Sequence, residues 1–206
     1  MNLNNKRIAG LLFLAGTVQF VLVVIISESV YSGYSVGHQA VSDLGDWNLA
    51  GNYAAIFNAS VILLGSLVIS GAYFILREIK SRLFSSLLVI GGVGMIGVGV
   101  VAENISFSVH VVLALFIFVF FAATAIMSYK FEKSPLSHMS VVLGVLMLLA
   151  IILLILGRGQ VNSGFYLGIG YGGMERLIIY PLLLWTLGFG AYLIGDSSQP
   201  ATRSKA

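Results

Sequence analysis

Residues 139–156 read MSVVLGVLMLLAIILLIL, a stretch without a charged side chain. A bilayer core about 30 Å thick is crossed by roughly 20 residues of apolar α-helix, so this stretch predicts a transmembrane helix. Five further stretches have a similar length and apolar character. The six predicted spans cover residues 8–27, 53–76, 83–102, 109–129, 139–156 and 177–194.

The composition of the chain supports the same fold class. Of its 206 residues, 58% are hydrophobic and 9% are charged, which is far from the composition of soluble domains. Backbone amides in lipid must be hydrogen-bonded within their own segment, and unbroken apolar runs achieve this as helices. We therefore predict an all-α protein with a bundle of six transmembrane helices over residues 1–195. A disordered cytoplasmic tail is predicted over residues 196–206.

Basic residues between the spans predict the orientation of the bundle. Cytoplasmic loops carry an excess of Lys and Arg, and most basic residues here fall in segments that six spans place on one side. We therefore expect a multi-pass protein of the cell membrane with both termini in the cytoplasm. The residues concerned are Lys6, Arg7, Arg77, Lys80, Arg82, Lys130, Lys133, Arg203 and Lys205.

Several function classes are disfavoured by the sequence. The chain has no cysteine, which excludes disulfides, thiol catalysis and cysteine metal ligands. It has no basic stripe interleaved with aromatic residues, so we expect no nucleic-acid partner. Residues 168–173 match G-x-G-x-x-G, but no βαβ pattern surrounds them, which disfavours a nucleotide loop. A small-solute transporter or channel is less favoured because the spans show no charge near mid-membrane.

The opposite, outer side of the predicted bundle collects most of the acids and two of the histidines. Long connections over residues 28–52 and 157–174 are typical of functional loops, and a short one covers residues 103–108. Because all three lie at one membrane surface, we expect their polar side chains to converge. The candidates for catalysis are Asp43, Glu103 and His110, and those for binding are Glu28, His38, Ser42, Glu175 and Arg176.

His110 is the most informative single candidate. It lies about one turn inside an apolar span, where an ionisable side chain is costly and is by default a functional hypothesis. Paired with Glu103, Asp43 or Glu175, it could act as a general base or bind a metal ion. The alternative, given equal weight, is a histidine locked in one tautomer by a hydrogen bond to a neighbouring helix. The sequence specifies no cofactor, and any metal would be held by His110, Asp43 and Glu103.

Ser42 and Asp43 also have two interpretations. Together with His38 or His110 they supply the residue types of a nucleophilic triad. Both are also good helix N-caps, and capping is the more favoured single explanation because no fixed-spacing catalytic motif is present.

Glu175 and Arg176 form a second ambiguous pair. A carboxylate near a helix N-terminus is favoured by the helix dipole, and the adjacent arginine can pair with an acid from another loop. This interpretation makes the pair a structural clamp. In the functional interpretation, the planar guanidinium of Arg176 holds a lipid phosphate or a substrate carboxylate.

Short motifs spread along nearly the whole chain carry a family resemblance. They are Tyr34-Ser35, His38, Ser42-Asp43-Leu44-Gly45, Asn52, His110, Gly172-Gly173-Met174-Glu175-Arg176-Leu177, Tyr180-Pro181 and Trp185. Together they resemble an uncharacterised prokaryotic family of membrane proteins, domain of unknown function 998. The resemblance implies six helices and no established activity.

From these residues we predict a polar site on the outer face that binds a lipid headgroup, with membrane lipids as partners. In its catalytic version the site hydrolyses the lipid, with His110 as base or ligand and Arg176 holding the headgroup. The alternative is a non-catalytic accessory or assembly subunit of a membrane complex, whose long outer loops dock onto a membrane-protein partner.

Overall fold

The computed structural model describes residues 4–157, 160 and 163–197, and its regular structure in these residues is helical. In these described residues, seven α-helices follow one another: α1 (Asn5–Val30), α2 (Trp47–Ala50), α3 (Ala54–Ile79), α4 (Arg82–Val100), α5 (Phe107–Ser128), α6 (Leu136–Gly157) and α7 (Gly170–Asp196). The described parts of the connections contain three short 3-10 helices, at Ser42–Gly45, Gly51–Tyr53 and Gly164–Tyr166. From residue 198 onward, the predicted tail lies outside the described residues.

The all-α class is confirmed, as is the expectation of six helices that could span a membrane. Six helices are long and apolar enough to cross a membrane, with α2 and α3 counted together as one span over residues 47–79. The last helix begins at Gly170 rather than near residue 177. The apolar criterion stops at Glu175 and Arg176, yet the helix continues through both because their side chains are buried and hydrogen-bonded inside the bundle.

The long helices form a ring in chain order. Each packs against its neighbours in the chain, α1 and α7 close the ring, and α5 and α7 also touch. Lys6 Nζ lies 2.8 Å and Lys133 Nζ 3.2 Å from the Asp196 carboxylate. The start of α1, the α5–α6 connection and the end of α7 therefore share one end of the bundle. The other end, named the outer end, carries the connections α1–α3, α4–α5 and α6–α7.

Glycines let α4 approach both of its neighbours closely. A Cβ placed on Gly92 would lie 3.0 Å from the carbonyl oxygen of Gly65 on α3. One placed on Gly94 would lie 3.0 Å from the carbonyl oxygen of Leu113 on α5. Small residues permit such backbone contact between helices in lipid. The α4–α5 connection, which carries Glu103, is thereby held beside the start of α5.

Candidate functional site

Arg176 fastens the first outer loop to α7. The residue is 3% exposed, and the two N–H groups of its Nη1 are shared among the carbonyl oxygens of Val36, Gln39 and Gly172, each at 2.9 Å. Its Nη2 donates to Glu28 Oε1 at 2.6 Å, which makes a charge-assisted hydrogen bond. Protein groups therefore occupy both terminal nitrogens of the guanidinium, whereas the buried Nε has no hydrogen-bond partner.

Tyr34 completes this arrangement. Its hydroxyl accepts a hydrogen bond from Arg176 Nη2 and donates one to the carbonyl oxygen of Ala40 at 2.9 Å. Burial raises the pKa of the Tyr34 hydroxyl, although the charge of Arg176 opposes the shift, so the hydroxyl keeps the proton that it donates. Arg176, Glu28 and Tyr34 are together named the clamp.

The same packing explains the glycine-rich stretch over residues 168–173. The backbone N–H of Gly172 donates to the carbonyl oxygen of Gly37 at 3.0 Å, and a Cβ on Gly172 would collide with the Gln39 carbonyl. Gly170 has φ +76°, a conformation in which other residues are strained. These glycines let the start of α7 lie against the backbone of the first outer loop.

Four side chains meet at the outer end beside the clamp and are named the outer cluster: Ser42, Glu103, His110 and Glu175. Glu175 is 6% exposed, and its Oε2 accepts a hydrogen bond from the backbone N–H of Val41. The Ser42 Oγ lies 2.7 Å from Glu103 Oε1 and 3.2 Å from Glu175 Oε1. A serine hydroxyl has one proton, so Ser42 donates to the nearer carboxylate while contacting both.

The prediction that Ser42 caps a helix is wrong. The short helix Ser42–Gly45 follows Val41 and begins without a side-chain cap. The Ser42 hydroxyl is directed instead at Glu103 and Glu175, which lie 61 and 133 residues further along the chain. Local spacing favours a cap because it carries no information about these distant partners.

His110 lies in the first turn of α5 and is 6% exposed. Its Nδ1 is 2.8 Å from the carbonyl oxygen of Val101, and because a carbonyl only accepts, Nδ1 carries the proton. Its Nε2 faces Glu103 Oε1 at 3.8 Å. The backbone thus fixes the tautomer while the second nitrogen is directed at an acid. The hydrogen bond to Val101 matches the interpretation of His110 as a tautomer-locked histidine, and its role as a base or metal ligand stays a prediction.

Asp43 lies next to the outer cluster. Its Oδ2 accepts a hydrogen bond from the backbone N–H of Ala40 at 3.0 Å. Burial, followed by the nearby charge of Glu103, raises the pKa of Asp43 from 3.8 to about 6. Asp43 therefore contributes to the acidic field of the cluster.

Two predicted binding residues lie apart from the cluster. His38 is exposed and lines a separate depression with Ser35, Ser163 and Tyr166. Glu28 belongs to the clamp, where it pairs with Arg176. The eight predicted site residues therefore divide among a cluster, a neighbouring acid, a clamp and a separate depression.

An apolar groove extends from the outer cluster between α5, α6 and α7. Its volume is about 210 Å³, and the four cluster residues form its polar end. Leu115 and Ile155, which are 40% and 54% exposed, lie on the outward surface of the bundle. The remaining walls are Val111, Ala114, Leu115, Phe118, Ile151, Leu154, Ile155, Tyr171 and Ile178.

A second, smaller cavity reaches the cluster from inside the ring. Its volume is about 70 Å³, and Ser42, His110 and Glu175 line it as well. A dry apolar cavity of about 150 Å³ holds a molecule of benzene, so this cavity has room for a few atoms only. The groove is therefore the larger space that the cluster adjoins.

The sequence alone does not reveal the groove. Its walls come from three helices and consist of ordinary apolar residues, which look like any lipid-facing or packing residue. One signal was present: Ala114 follows His110 by four residues and so lies one turn below it on the same helix face. A small residue there leaves space beneath a polar group.

A metal centre finds no support in the described part of the chain. No group of three or more His, Asp or Glu side chains there is arranged to hold a metal ion. The predicted ligands His110, Asp43 and Glu103 do not form such a group.

In the described residues, six helices long and apolar enough to span a membrane, with a partly buried polar cluster at one end of the bundle, are the features of a polytopic membrane protein. The chain belongs to the family of proteins of unknown function DUF998, which matches residues 14–192. The family resemblance seen in the sequence is thereby confirmed, and the match extends from α1 to α7. No curated protein and no solved structure matches the chain.

Proposed function

We propose that the protein binds a membrane amphiphile, with the polar headgroup at the outer cluster and the apolar chain in the groove. One observation carries the proposal: the four cluster residues form the polar end of a cavity whose other walls are mainly apolar. Small-molecule sites typically combine apolar walls with a few placed polar groups. A molecule with one polar end and one apolar chain matches both parts of this cavity.

The groove suits a ligand that arrives from the bilayer. Its edges at Leu115 and Ile155 lie on the surface that spanning helices present to lipid. An apolar chain gains little hydrophobic free energy by moving from lipid to protein, because lipid tails are as apolar as leucine. The contacts at the outer cluster therefore determine the affinity and the specificity.

In this proposal the clamp positions the site and does not contact the ligand. Arg176, expected from the sequence to hold the headgroup, instead donates to Glu28 and to loop carbonyls. The clamp holds the first outer loop against α7 and thereby keeps Val41 and Ser42 at Glu175. Arg176 and Glu28 are accordingly positioning residues.

Native mass spectrometry in mild detergent tests the proposal. Wild-type protein should carry a bound lipid that His110→Ala loses, because the variant removes a polar wall of the headgroup site. His138→Ala is a matched control, since His138 is an exposed histidine at the start of α6, at the opposite end of the bundle. Equal lipid adducts in all three proteins would contradict the proposal. A stoichiometric subunit that co-purifies with all three would favour the accessory function instead.

Hydrolysis of the bound lipid is the second candidate function, and the 2.7 Å hydrogen bond from Ser42 to Glu103 favours it. Glu103 would accept the Ser42 proton while Oγ attacks an ester or amide carbonyl, and the leaving alcohol or amine would take that proton. Water would then release the acyl group from Ser42.

The release of fatty acid from ester and amide lipids measures this step. Wild-type protein should release acid, and Ser42→Ala should do so about 100-fold or more slowly when the two rates are compared at equal amounts of bound lipid. If neither protein exceeds the protein-free background, hydrolysis is rejected and the binding proposal stands.

A further inference from the structure

We infer that the headgroup bound by the outer cluster carries a protonated amine. This inference rests on the proposed function, because it concerns the ligand of the same site. It is carried by two independent features of the cluster: the balance of its hydrogen-bond donors and acceptors, and the sign of the charge around it.

In the outer cluster, the side-chain hydrogen-bond donors are already paired with protein acceptors, whereas several acceptor lone pairs are still available to a ligand. The one hydroxyl proton of Ser42 is donated to Glu103, and the Nδ1–H of His110 is taken by a backbone carbonyl. Lone pairs of the Glu103 and Glu175 carboxylates and the His110 Nε2 remain along the cavity wall. An ammonium group has three donors and no acceptor, so it complements this set.

The charge around the cluster is acidic. Four carboxylates lie in it or beside it: Asp43, Asp46, Glu103 and Glu175. Among the described residues, Arg176 is the only Lys or Arg at the outer end, and it is already paired with Glu28. A cationic headgroup would compensate these partly buried carboxylates, whereas a phosphate or carboxylate headgroup would add like charge and acceptors.

The groove recognises the apolar chain of the ligand, while the outer cluster recognises its amine. A soluble amine would meet the same carboxylates but would leave the apolar walls of α5, α6 and α7 unfilled. A long-chain amine places its charge at Glu103 and Glu175 and its chain along the groove. An alcohol with the same chain would be accommodated as a hydrogen-bond donor, yet it would not compensate the charge.

A chain-matched ligand series tests the inference. The protein is reconstituted in nanodiscs of phosphatidylcholine near neutral pH, with empty nanodiscs as the blank. Three ligands with one fluorescent alkyl chain are titrated, ending in a primary amine, an alcohol or a phosphate. We expect the amine to bind at least about ten-fold more tightly than the alcohol, because its hydrogen bonds are charge-assisted. The phosphate should bind most weakly.

Variants locate this preference at the cluster. Glu175→Gln and Glu103→Gln keep an acceptor oxygen but remove the charge, so each should lower the ratio of amine affinity to alcohol affinity. Glu78→Gln is the matched control, because Glu78 is an exposed carboxylate at the opposite end of the bundle. It should retain the full preference.

The outcomes separate the two proposals. Equal affinities for all three ligands, or tightest binding of the phosphate, would overturn the amine inference and leave lipid binding intact. An amine preference that survives both glutamine variants would overturn its assignment to the cluster. The absence of saturable binding for every ligand would overturn the proposed function together with this inference.

Discussion

At the scale of single residues, Glu175 and Arg176 show how neighbours in sequence serve separate sites. Successive residues on an α-helix point about 100° apart, so their side chains lead to different surroundings. Arg176 reaches Glu28 and the loop carbonyls, whereas Glu175 reaches Val41 and Ser42. One residue is therefore bound into the clamp while the other lines the cavity.

Replacing Arg176 by alanine should destabilise the protein strongly. The change leaves Glu28 without its partner and removes the donor from three carbonyls, and breaking a buried ion pair typically costs about 3–5 kcal/mol. Arg77→Ala is the control, because this residue packs over the Tyr73 ring at an exposed site and should cost about 1 kcal/mol or less. Equilibrium unfolding in detergent measures both values. Wild-type stability in Arg176→Ala would contradict the clamp.

The carboxyl of Asp43 should make stability depend on pH. Its pKa in the folded protein is about 6, above the ordinary 3.8, so the fold favours the protonated form. Ionisation therefore destabilises the fold as pH rises from 3.8 to about 6, and the penalty is constant above that range.

Asp43→Asn should remove this penalty. After discounting for partial exposure of the side chain, we expect the variant to be more stable than wild type by about 1 kcal/mol above pH 6. Below the ordinary pKa the two proteins should unfold alike. A pH series of thermal unfolding in detergent measures the difference, and a gap that stays the same at every pH would refute the assignment to Asp43.

At the scale of elements, the sequence predicts spans better than it predicts their ends. Each span needs an apolar run long enough to cross a bilayer, and such a run can be recognised from one continuous segment of sequence. The sequence does not predict the first turn of α7, because the glycines of residues 170–173 are typical of a loop and Glu175 and Arg176 look like the helix start until their partners are known. Those partners come from the first outer loop and from α1, which no local pattern reveals.

The contact between α3 and α4 should be sensitive to a single methyl group. In Gly65→Ala the new Cβ would lie 2.6 Å from the Gly92 carbonyl oxygen and 2.9 Å from Met95 Cβ, so the helices must move apart. We expect a loss of about 1–3 kcal/mol.

Gly188→Ala on α7 is the matched control for this change. Its Cβ would meet Leu136 at an ordinary 3.5 Å, so alanine should be neutral or slightly stabilising there. Chemical unfolding of both variants in detergent measures the contrast. Equal effects of the two substitutions would contradict close packing between α3 and α4.

At the scale of the whole molecule, the topology predicts which residues share a membrane face but not which of them touch. Counting spans brings all eight candidate residues to the outer end. The division among cluster, clamp and the depression at His38 depends on how α1 and α7 close the ring. The groove depends on the same closure, because it lies where α5, α6 and α7 meet.

The orientation of the bundle remains a proposal from its basic residues, and the absence of native cysteine makes it testable by labelling. Asn48 at the outer end and Lys130 at the opposite end are both exposed. In intact cells a membrane-impermeant maleimide should label Asn48→Cys. Lys130→Cys should react only after permeabilisation. The reverse pattern would invert the orientation and leave the fold unchanged.

The central claim is that an apolar chain lies in the groove with its polar end at the outer cluster. Photo-crosslinking in nanodiscs tests it most directly, with an alkyl amine and the matched alcohol that carry a photoreactive group at the chain end. We predict that labelling concentrates on groove residues such as Phe118 and Leu154. Excess unlabelled ligand should prevent this labelling by competition. Ala114→Phe should also abolish it, because the larger side chain fills the groove. Labelling spread over all lipid-facing helices, neither displaced nor changed in Ala114→Phe, would contradict the claim.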